Sequence, residues 1–409
     1  MPPDVAGRTV LVRRSTLLLI VAQACLWGAL GTFAAQAPVA VDSVGGGAAA
    51  AGVLLTLYSL ALGLSGRVAG RLMDRSGRRP VLVTGYVILA VGGAAAAAAV
   101  LGQSFGLLVV GIILIGTGTA SGFLGRAAVA DMYPPEQRGR AVGALVVAGT
   151  VGAVGGPPLS SLVHSVAEPL GESAALAAPW LLVPILSVVA FGCVLALRPD
   201  PTRLAIQPAV SGGERAAGVI LRLPPATAAA ATIGLSHATM TTFMTIVPLG
   251  VLQHGSTQAT VSVIVSLHLG GMFAFSPLVG SMLDRWGRRP GQLAGLAVLV
   301  VGVGLCAFVE PTAVVTFGLF LIGLGWSAAY LGSTAVVSDL SAPAERGGAL
   351  GLTDLISGLS AAAGVLAGAA LVEATSIRVL GVVALVFLAV PVAMQARLRD
   401  RSRSETSPV

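Results

Sequence analysis

Twelve apolar segments, each about 20 residues long, follow one another along the chain, from Thr16–Ala37 to Ile377–Ala396. An α-helix of about 20 apolar residues crosses a bilayer, whereas strands of a membrane barrel alternate in polarity and need only about 10 residues. Apolar residues make up 55% of the 409 residues and charged residues only 10%, which excludes a water-soluble domain. We therefore predict an all-α integral membrane protein with twelve transmembrane helices.

The charges between the segments indicate how the chain is oriented. All 24 basic residues are arginines, and if the N-terminus is cytoplasmic, all but Arg378 fall at or near cytoplasmic ends. The opposite connections carry carboxylates, at Asp42, Glu168, Glu172, Glu310 and Glu373. Because basic residues stay on the cytoplasmic side, we expect a multi-pass protein of the cell's inner (plasma) membrane with both termini cytoplasmic. The net charge of +7 follows from this sorting and does not indicate a nucleic-acid partner.

Internal repeats divide the chain into two halves. Residues 70–80, Gly-Arg-Leu-Met-Asp-Arg-Ser-Gly-Arg-Arg-Pro, recur at 280–290 with seven identities in eleven positions. A second pattern begins at Asp131 and recurs from Asp339 at an offset of 208 residues. Two parallel repeats of six helices explain both pairs. The predicted domains are a six-helix bundle at 1–197, a Pro- and Gly-rich cytoplasmic linker at 198–224, a second six-helix bundle at 225–396 and a cytoplasmic tail at 397–409.

The repeated loop, Gly-x-Leu-x-Asp-Arg-x-Gly-Arg-Arg at 70–79, resembles the signature loop of the major facilitator superfamily. The resemblance covers essentially the whole chain. It implies two pseudo-symmetric six-helix bundles around a central cavity that opens alternately to the two sides of the membrane. It also implies a secondary transporter without a cofactor, working as a monomer as members of the family often do.

The two signature loops are predicted to form a conformational latch. Glycine permits a tight turn and close approach between helices because it lacks a Cβ. By resemblance, Asp74 would face the start of the eleventh helix and Asp284 the start of the fifth, while Arg78 would bridge to Asp131. Joined cytoplasmic ends would then stabilise an outward-facing state; the alternative is that these residues only anchor short loops. The predicted latch comprises Gly70, Asp74, Arg75, Gly77, Arg78, Asp131, Gly280, Asp284, Arg285, Gly287, Arg288 and Asp339.

Three ionisable residues inside the spans are candidates for proton coupling. Such groups are costly in hydrocarbon and usually face a cavity or a partner. Asp354 lies about two turns into the eleventh helix, where burial would favour the protonated carboxyl near neutral pH. His268, roughly at mid-depth, is expected to titrate in the same range without a large perturbation, and either His268 or His237 would act with Asp354. A hydrogen-bonding role for Asp354 and a packing role for each histidine are the alternatives.

The predicted function is proton-driven export of a small amphipathic organic molecule or drug, by antiport. Few fixed charges lie on the helices that would surround the cavity, which argues against a highly charged substrate. The candidate cavity residues are Gln23, Trp27, Arg126, Trp326 and Tyr330. Two alternatives stay open: a proton-coupled importer of a small organic solute, and a transporter-like scaffold or receptor that moves nothing.

An enzyme is not predicted. The chain contains no lysine and no phosphate-binding loop, which excludes ATP-driven pumping of the usual kind. It also shows no metal-ligand spacing and no nucleophile beside a base. We therefore expect no metal and no cofactor, with the proton gradient as the energy source, and with the lipid bilayer, protons and the substrate as partners.

Overall fold

The computed structural model of the protein describes residues 5–44, 47–204, 218–340 and 346–405, and this part of the chain is helical without a strand. In the first half the α-helices are Val5–Ser43, Ala48–Ser76, Arg78–Leu101, Phe105–Phe123, Gly125–Met132, Pro135–Ala167, Glu172–Ala177 and Leu182–Leu195. In the second half they are Pro224–Gln253, Gln258–Phe273, Ser276–Trp286, Arg288–Phe308, Thr312–Asp339, Arg346–Ala374 and Ile377–Glu405. Short 3-10 helices lie at Glu168–Leu170, Ala178–Leu181 and Pro201–Leu204.

Twelve helical stretches are long and apolar enough to cross a membrane, as the sequence predicted. We number them as spans 1 to 12. They are Gly7–Ser43, Ala49–Gly70, Arg78–Leu101, Phe105–Val129, Gly143–Leu170, Glu172–Leu195, Pro224–Gln253, Gln258–Leu283, Arg288–Phe308, Thr312–Val337, Leu352–Ala374 and Ile377–Leu398.

The turns that follow spans 2 and 8 have the same backbone geometry in both halves. Gly77 has φ +91° and Gly287 has φ +92°, a region that residues with a Cβ rarely adopt. The glycines at the start of each signature loop behave differently. A Cβ at Gly70 or at Gly280 would meet no described atom within 4 Å. Among the described residues of the two loops, the requirement for glycine is seen at the turn itself.

Close packing of spans 3 and 4 is repeated in spans 9 and 10. A Cβ on Gly118 would lie 2.6 Å from the backbone nitrogen of Leu89, and one on Gly325 would lie 2.5 Å from that of Leu299. Contacts this short mean that the helix backbones themselves touch, which only glycine allows. The duplication is therefore visible in the helix packing as well as in the loops.

The described chain forms two compact units that follow the sequence halves with two exchanges. Ala48–Thr56, at the start of span 2, belongs to the second unit, and Leu252–Ser266, around the start of span 8, belongs to the first. Within the second unit, Thr56 Oγ1 donates to the carbonyl of Ala362 in span 11 at 3.1 Å. Within the first unit, Ser266 Oγ donates to the carbonyl of Val154 in span 5 at 2.6 Å. Each exchanged segment thus packs on a helix that the sequence repeats place in the opposite half.

Candidate functional site

The signature loop of the first unit is held by a nearly buried arginine. Arg78 Nη2 lies 2.8 Å from Asp131 Oδ2, and its Nε donates to the same oxygen at 3.0 Å. Its Nη1 donates to the carbonyl of Met73 at 2.9 Å, in the last turn of the preceding helix. The Arg78 side chain is 8% exposed, so these bonds are protected from water. The Arg78–Asp131 pair predicted from the resemblance is therefore present.

The copy of this pair in the second unit is more open. Arg288 Nε lies 3.3 Å from Asp339 Oδ2, and the two side chains are 36% and 60% exposed. Arg75 and Arg285 occupy the last turn of the helix before each loop and are exposed. The side chains of Asp74 and Asp284 lie outside the described residues, as do the contacts predicted for them with the starts of helices eleven and five. Whether these residues act as a latch stays a prediction.

A carboxylate that sequence reasoning missed lies beside the first signature loop. Asp200 Oδ2 accepts a hydrogen bond from the backbone nitrogen of Arg79 at 2.8 Å, and its Oδ1 accepts from those of Arg78 at 3.3 Å and Thr202 at 2.8 Å. Arg78 and Arg79 are the first residues of the span 3 helix, so Asp200 caps that helix. Burial raises the pKa of Asp200, but the hydrogen bonds from Thr202, Arg79 and Arg78 outweigh it and hold the pKa below its usual value.

Asp200 belongs to the segment that the sequence predicted as a linker. That segment begins as packed structure: Pro201–Leu204 is a 3-10 helix, and Pro201 and Leu204 are buried. Arg8 Nη2 donates to the carbonyl of Leu204 at 2.8 Å. The chain just after span 6 is therefore part of the first unit, and it is attached to the loop between spans 2 and 3.

In the second unit, four of the predicted site residues come together from spans 7, 10 and 11. The ring of His237 meets that of Trp326 edge-on, with centroids 5.3 Å apart. Trp326 stacks on Tyr330 at 5.0 Å with an interplanar angle of 22°. The Tyr330 hydroxyl donates to Asp354 Oδ1 at 2.9 Å. We call His237, Trp326, Tyr330 and Asp354 the aromatic–acid cluster.

Two ring nitrogens of the aromatic–acid cluster are unpaired in the part of the chain that the structure describes. His237 Nδ1 and Trp326 Nε1 are both buried there without a hydrogen-bond partner. An unpaired buried polar group is costly unless a ligand or water satisfies it. Asp354 is exposed rather than enclosed by the second unit, so the expectation that the protein itself buries this side chain was wrong. The cluster thus places an accessible carboxylate at one end of an aromatic stack and two unsatisfied ring nitrogens at the other.

His268 does not belong to the aromatic–acid cluster. Its Nδ1 lies 2.7 Å from the carbonyl of Leu319 in span 10, and the residue is fully buried. A Cβ on Gly323 would lie 3.1 Å from the same ring nitrogen, so the ring occupies the space that this glycine leaves. Its Nε2 is buried and has no hydrogen-bond partner within the described ranges. The geometry fits the packing alternative for His268, and a proton-coupling role stays untested.

The candidate cavity residues of the first unit are Trp27, Gln23 and Arg126. Trp27 in span 1 lies against Phe123 in span 4, with ring centroids 5.4 Å apart, and a Cβ on Gly149 would touch its ring at 2.5 Å. Gln23, one turn earlier, is buried. Arg126 is exposed on the short helix that follows the break after Phe123.

Comparison with known proteins identifies a family. Residues 17–249 and 229–408 each match the family model for the Major Facilitator Superfamily. An uncharacterized MFS-type transporter of Bacillus subtilis (strain 168), YdeG, is 30% identical over 370 residues, covering 85% of this chain and 84% of its own. The riboflavin transporter RfnT of Brucella anthropi is 28% identical over 352 residues, covering 84% of this chain and 85% of its own.

Solved structures show the same architecture at low sequence identity. The crystal structure of the nucleoside transporter NupG superimposes with a TM-score of 0.72, covering 95% of this chain and 98% of that one, at 15% identity. A likeness at that identity concerns the fold alone. The family match, the relatives and the fold are those of transporters and not of enzymes.

Proposed function

The chain belongs to the major facilitator superfamily, as its duplicated loop predicted, and from this premise we propose that it exchanges protons for a small amphipathic organic molecule, which it exports. That the protein is a multi-pass membrane transporter of small molecules follows from the family, the relatives and the fold. The proposal adds the direction, the coupling ion, the substrate class and the residues that carry them. It also places the protein in the inner membrane as a monomer with both termini in the cytoplasm.

The single observation that carries the proposal is the continuity of the aromatic–acid cluster. A carboxylate that can bind a proton, Asp354, is joined by a 2.9 Å hydrogen bond to a tyrosine that stacks on the tryptophan beside it. A solute stacked on those rings favours the arrangement in which Tyr330 bonds the ionised carboxylate, whereas a proton on Asp354 weakens that bond. Binding of the solute and binding of the proton therefore oppose each other, and this opposition gives exchange in opposite directions. With protons moving inward down their gradient, the solute moves out.

The chemistry of the cluster also favours a substrate class. Trp326 and Tyr330 offer flat, apolar ring faces, and the buried Trp326 Nε1 offers a hydrogen bond to an acceptor on the solute. The cluster contains one carboxylate and no arginine, which does not suit a phosphorylated or multiply charged solute. A planar molecule with polar edges fits these features. Riboflavin, named for the relative RfnT, has that character and is therefore the first substrate to test.

The signature loops have a place in the same proposal. We assign the latch role to the duplicated loops because the Arg78–Asp131 and Arg288–Asp339 pairs occur at matching places in the two units. Charged pairs at the ends of helices are either formed or broken, so they define two discrete arrangements of the protein. The proton site sets which arrangement is favoured, since a ligand shifts such an equilibrium only through its differential affinity for the two states.

The test is flux in proteoliposomes with a pH gradient across the membrane. Riboflavin should accumulate in the more acidic compartment, and the accumulation should be lost in Asp354→Asn. The matched control is Glu310→Gln, which also neutralises an exposed carboxylate but one that pairs with Arg378 outside the cluster. Accumulation in the more alkaline compartment would identify a symporter and contradict export. Equal flux with and without a pH gradient would show that transport is not coupled to protons.

A further inference from the structure

A cavity lies in the first unit, at the end of the spans opposite the signature loop between spans 2 and 3, and it shares no residue with the aromatic–acid cluster. Its volume is about 670 Å³, and all of its lining residues belong to the first unit. They come from the ends of spans 1, 5 and 7 and the starts of spans 6 and 8. Cavities of about 300–1,000 Å³ hold small organic ligands. This cavity is therefore large enough for a molecule and much larger than a bare ion needs.

The fixed charges on the side chains that line this cavity are negative. Asp42, Glu168 and Glu172 line it together with His164, and no arginine is among the described residues of the lining. His164 Nδ1 lies 2.9 Å from the carbonyl of Ala175, and its Nε2 lies 3.7 Å from Glu168 Oε1. Three carboxylates without a fixed cation create a negative potential that attracts a positively charged ligand. Among the described residues no group of His, Cys, Asp and Glu has the arrangement of a metal site.

A buried amide in the wall provides independent evidence for a ligand. Gln258, the first residue of the span 8 helix, lines the cavity and is only 9% exposed. Both its Oε1 and its Nε2 are buried and have no hydrogen-bond partner among the described residues. Desolvating both amide atoms without compensation is unfavourable, and buried side-chain amides are nearly always bonded. A ligand with an N–H donor and an acceptor satisfies both atoms at once.

We propose that this cavity binds an organic ammonium ion that also carries a hydrogen-bond acceptor. The ammonium lies among Asp42, Glu168 and Glu172, and the polar edge of the ligand pairs with the Gln258 amide. Charge-assisted hydrogen bonds to carboxylates supply the affinity, and the amide supplies the orientation. The site is separate from the aromatic–acid cluster, so it does not depend on the exchange mechanism proposed above.

The experiment is ligand binding to the full chain in nanodiscs, measured by calorimetry with three molecules of one skeleton. Tyramine is the cation, tyrosol the neutral analogue and 4-hydroxyphenylacetate the anion. Tyramine should bind at least tenfold more tightly than the other two. The dissociation constant for tyramine should rise about tenfold in Glu172→Gln and in Gln258→Ala, a loss expected for one charge-assisted or buried hydrogen bond. Glu310→Gln, which removes a carboxylate outside the cavity, should bind tyramine as the unmodified protein does.

A further variant keeps the test decisive if Gln258→Ala does not fold. Gln258→Glu retains the size of the side chain and adds a fourth carboxylate, so it should bind tyramine more tightly. Equal binding of tyrosol and tyramine would overturn the proposal, as would an unchanged tyramine affinity in the Glu172 and Gln258 variants. Loss of tyramine binding in Asp354→Asn alone would place the cation at the aromatic–acid cluster and would also overturn it.

Discussion

The carboxylate of Asp200 lies 2.8 Å from the backbone nitrogen of Arg79 and joins the chain after span 6 to the first turn of span 3. Arg79 completes the connection in the other direction. Its Nη2 donates to the carbonyl of Leu195 at 2.8 Å, at the end of span 6. The signature turn at Gly77 is thus bound on one side to Asp131 through Arg78 and on the other to the end of span 6. A movement of span 6 would therefore be transmitted directly to the predicted latch residues Arg78 and Asp131.

Replacing Asp200 should destabilise the first unit. Asp200→Ala removes the acceptor of three backbone N–H groups, two of them in the first turn of a helix, and loss of such a cap costs about 1 kcal/mol. Thermal unfolding in detergent would measure this. Asp200→Asn retains an acceptor and should lose less. An Asp200→Ala protein as stable as the unmodified one would show that the cap is unimportant.

The same residue gives a pH dependence of stability. The pKa of Asp200 is lower in the folded protein than its usual value, so ionised Asp200 stabilises the fold. That contribution is complete above the unfolded pKa of about 3.9 and disappears as the pH falls through the lower, folded value. The stability difference between the unmodified protein and Asp200→Ala should therefore be constant from pH 7 to about pH 5 and shrink below pH 4. A difference that widens on acidification would contradict this sign.

The two copies of the signature pair should differ in energetic importance. Arg78 is 8% exposed and bonds both Asp131 and Met73, whereas Arg288 is 36% exposed beside a largely exposed Asp339. Removing one partner of a buried pair costs about 3–5 kcal/mol, whereas an exposed pair contributes about 0–1 kcal/mol. Arg78→Ala should lower the free energy of unfolding by several times more than Arg288→Ala. Equal losses would mean that burial does not distinguish the two loops.

Glycine packing between spans 3 and 4 can be tested with a control in the same helix. A Cβ at Gly118 would lie 2.6 Å from the Leu89 backbone nitrogen and 2.7 Å from the Gly85 carbonyl oxygen. Backbone atoms cannot move aside cheaply, so Gly118→Ala should destabilise the protein by about 1–3 kcal/mol. Gly106→Ala adds the same methyl group where no atom lies within 4 Å, and it should be neutral or slightly stabilising. The unfolding temperatures of the two variants, each compared with that of the unmodified protein, test this prediction.

Sequence patterns predicted the parts of this protein that repeat or that must be apolar. The twelve spans follow from segment length, and the Arg78–Asp131 pair follows from a loop whose family resemblance specifies the contact. The positive φ of Gly77 and Gly287 follows from the need for a tight turn. Each of these features depends either on residues that are neighbours in the sequence or on a recognisable motif.

The features that were missed depend on contacts between residues far apart in sequence. Asp200 lies 121 residues from Arg79, within a stretch whose prolines and glycines indicate a linker. The unpaired amide of Gln258 has no sequence signal, because a glutamine at a helix start is usually solvated. Asp354 was expected to be buried because the apolar segment surrounds it, but packing decides which face of a helix the rest of the protein covers. The aromatic–acid cluster was found only because each member was already unusual inside an apolar span.

The start of span 2 offers a test of whether its packing on span 11 matters for transport. A Cβ at Gly52 would lie 2.5 Å from the Ala369 side chain, and the backbone nitrogen of Ala49 donates to Glu373 at 3.1 Å nearby. Gly52→Val should push these helices apart at this end and reduce transport severalfold in the proteoliposome assay. Gly63→Val, on the same span but in open space, is the control and should transport normally. Unchanged flux in Gly52→Val would show that this contact is dispensable.

Variants of Tyr330 and Trp326 test separately where the proton and the solute bind in the aromatic–acid cluster. Tyr330→Phe keeps the ring stacked on Trp326 and removes the hydroxyl that donates to Asp354. Because that bond joins the carboxylate to the rings, its loss uncouples the proton from the solute. Solute flux driven by a pH gradient should therefore fall severalfold in Tyr330→Phe, and it should depend less on pH. Trp326→Phe keeps the Tyr330–Asp354 bond but loses the indole N–H, so it should raise KM for the solute and leave the pH profile in place. If Trp326→Phe shifted the profile and Tyr330→Phe did not, the assignment of proton and solute to neighbouring parts of one cluster would be wrong.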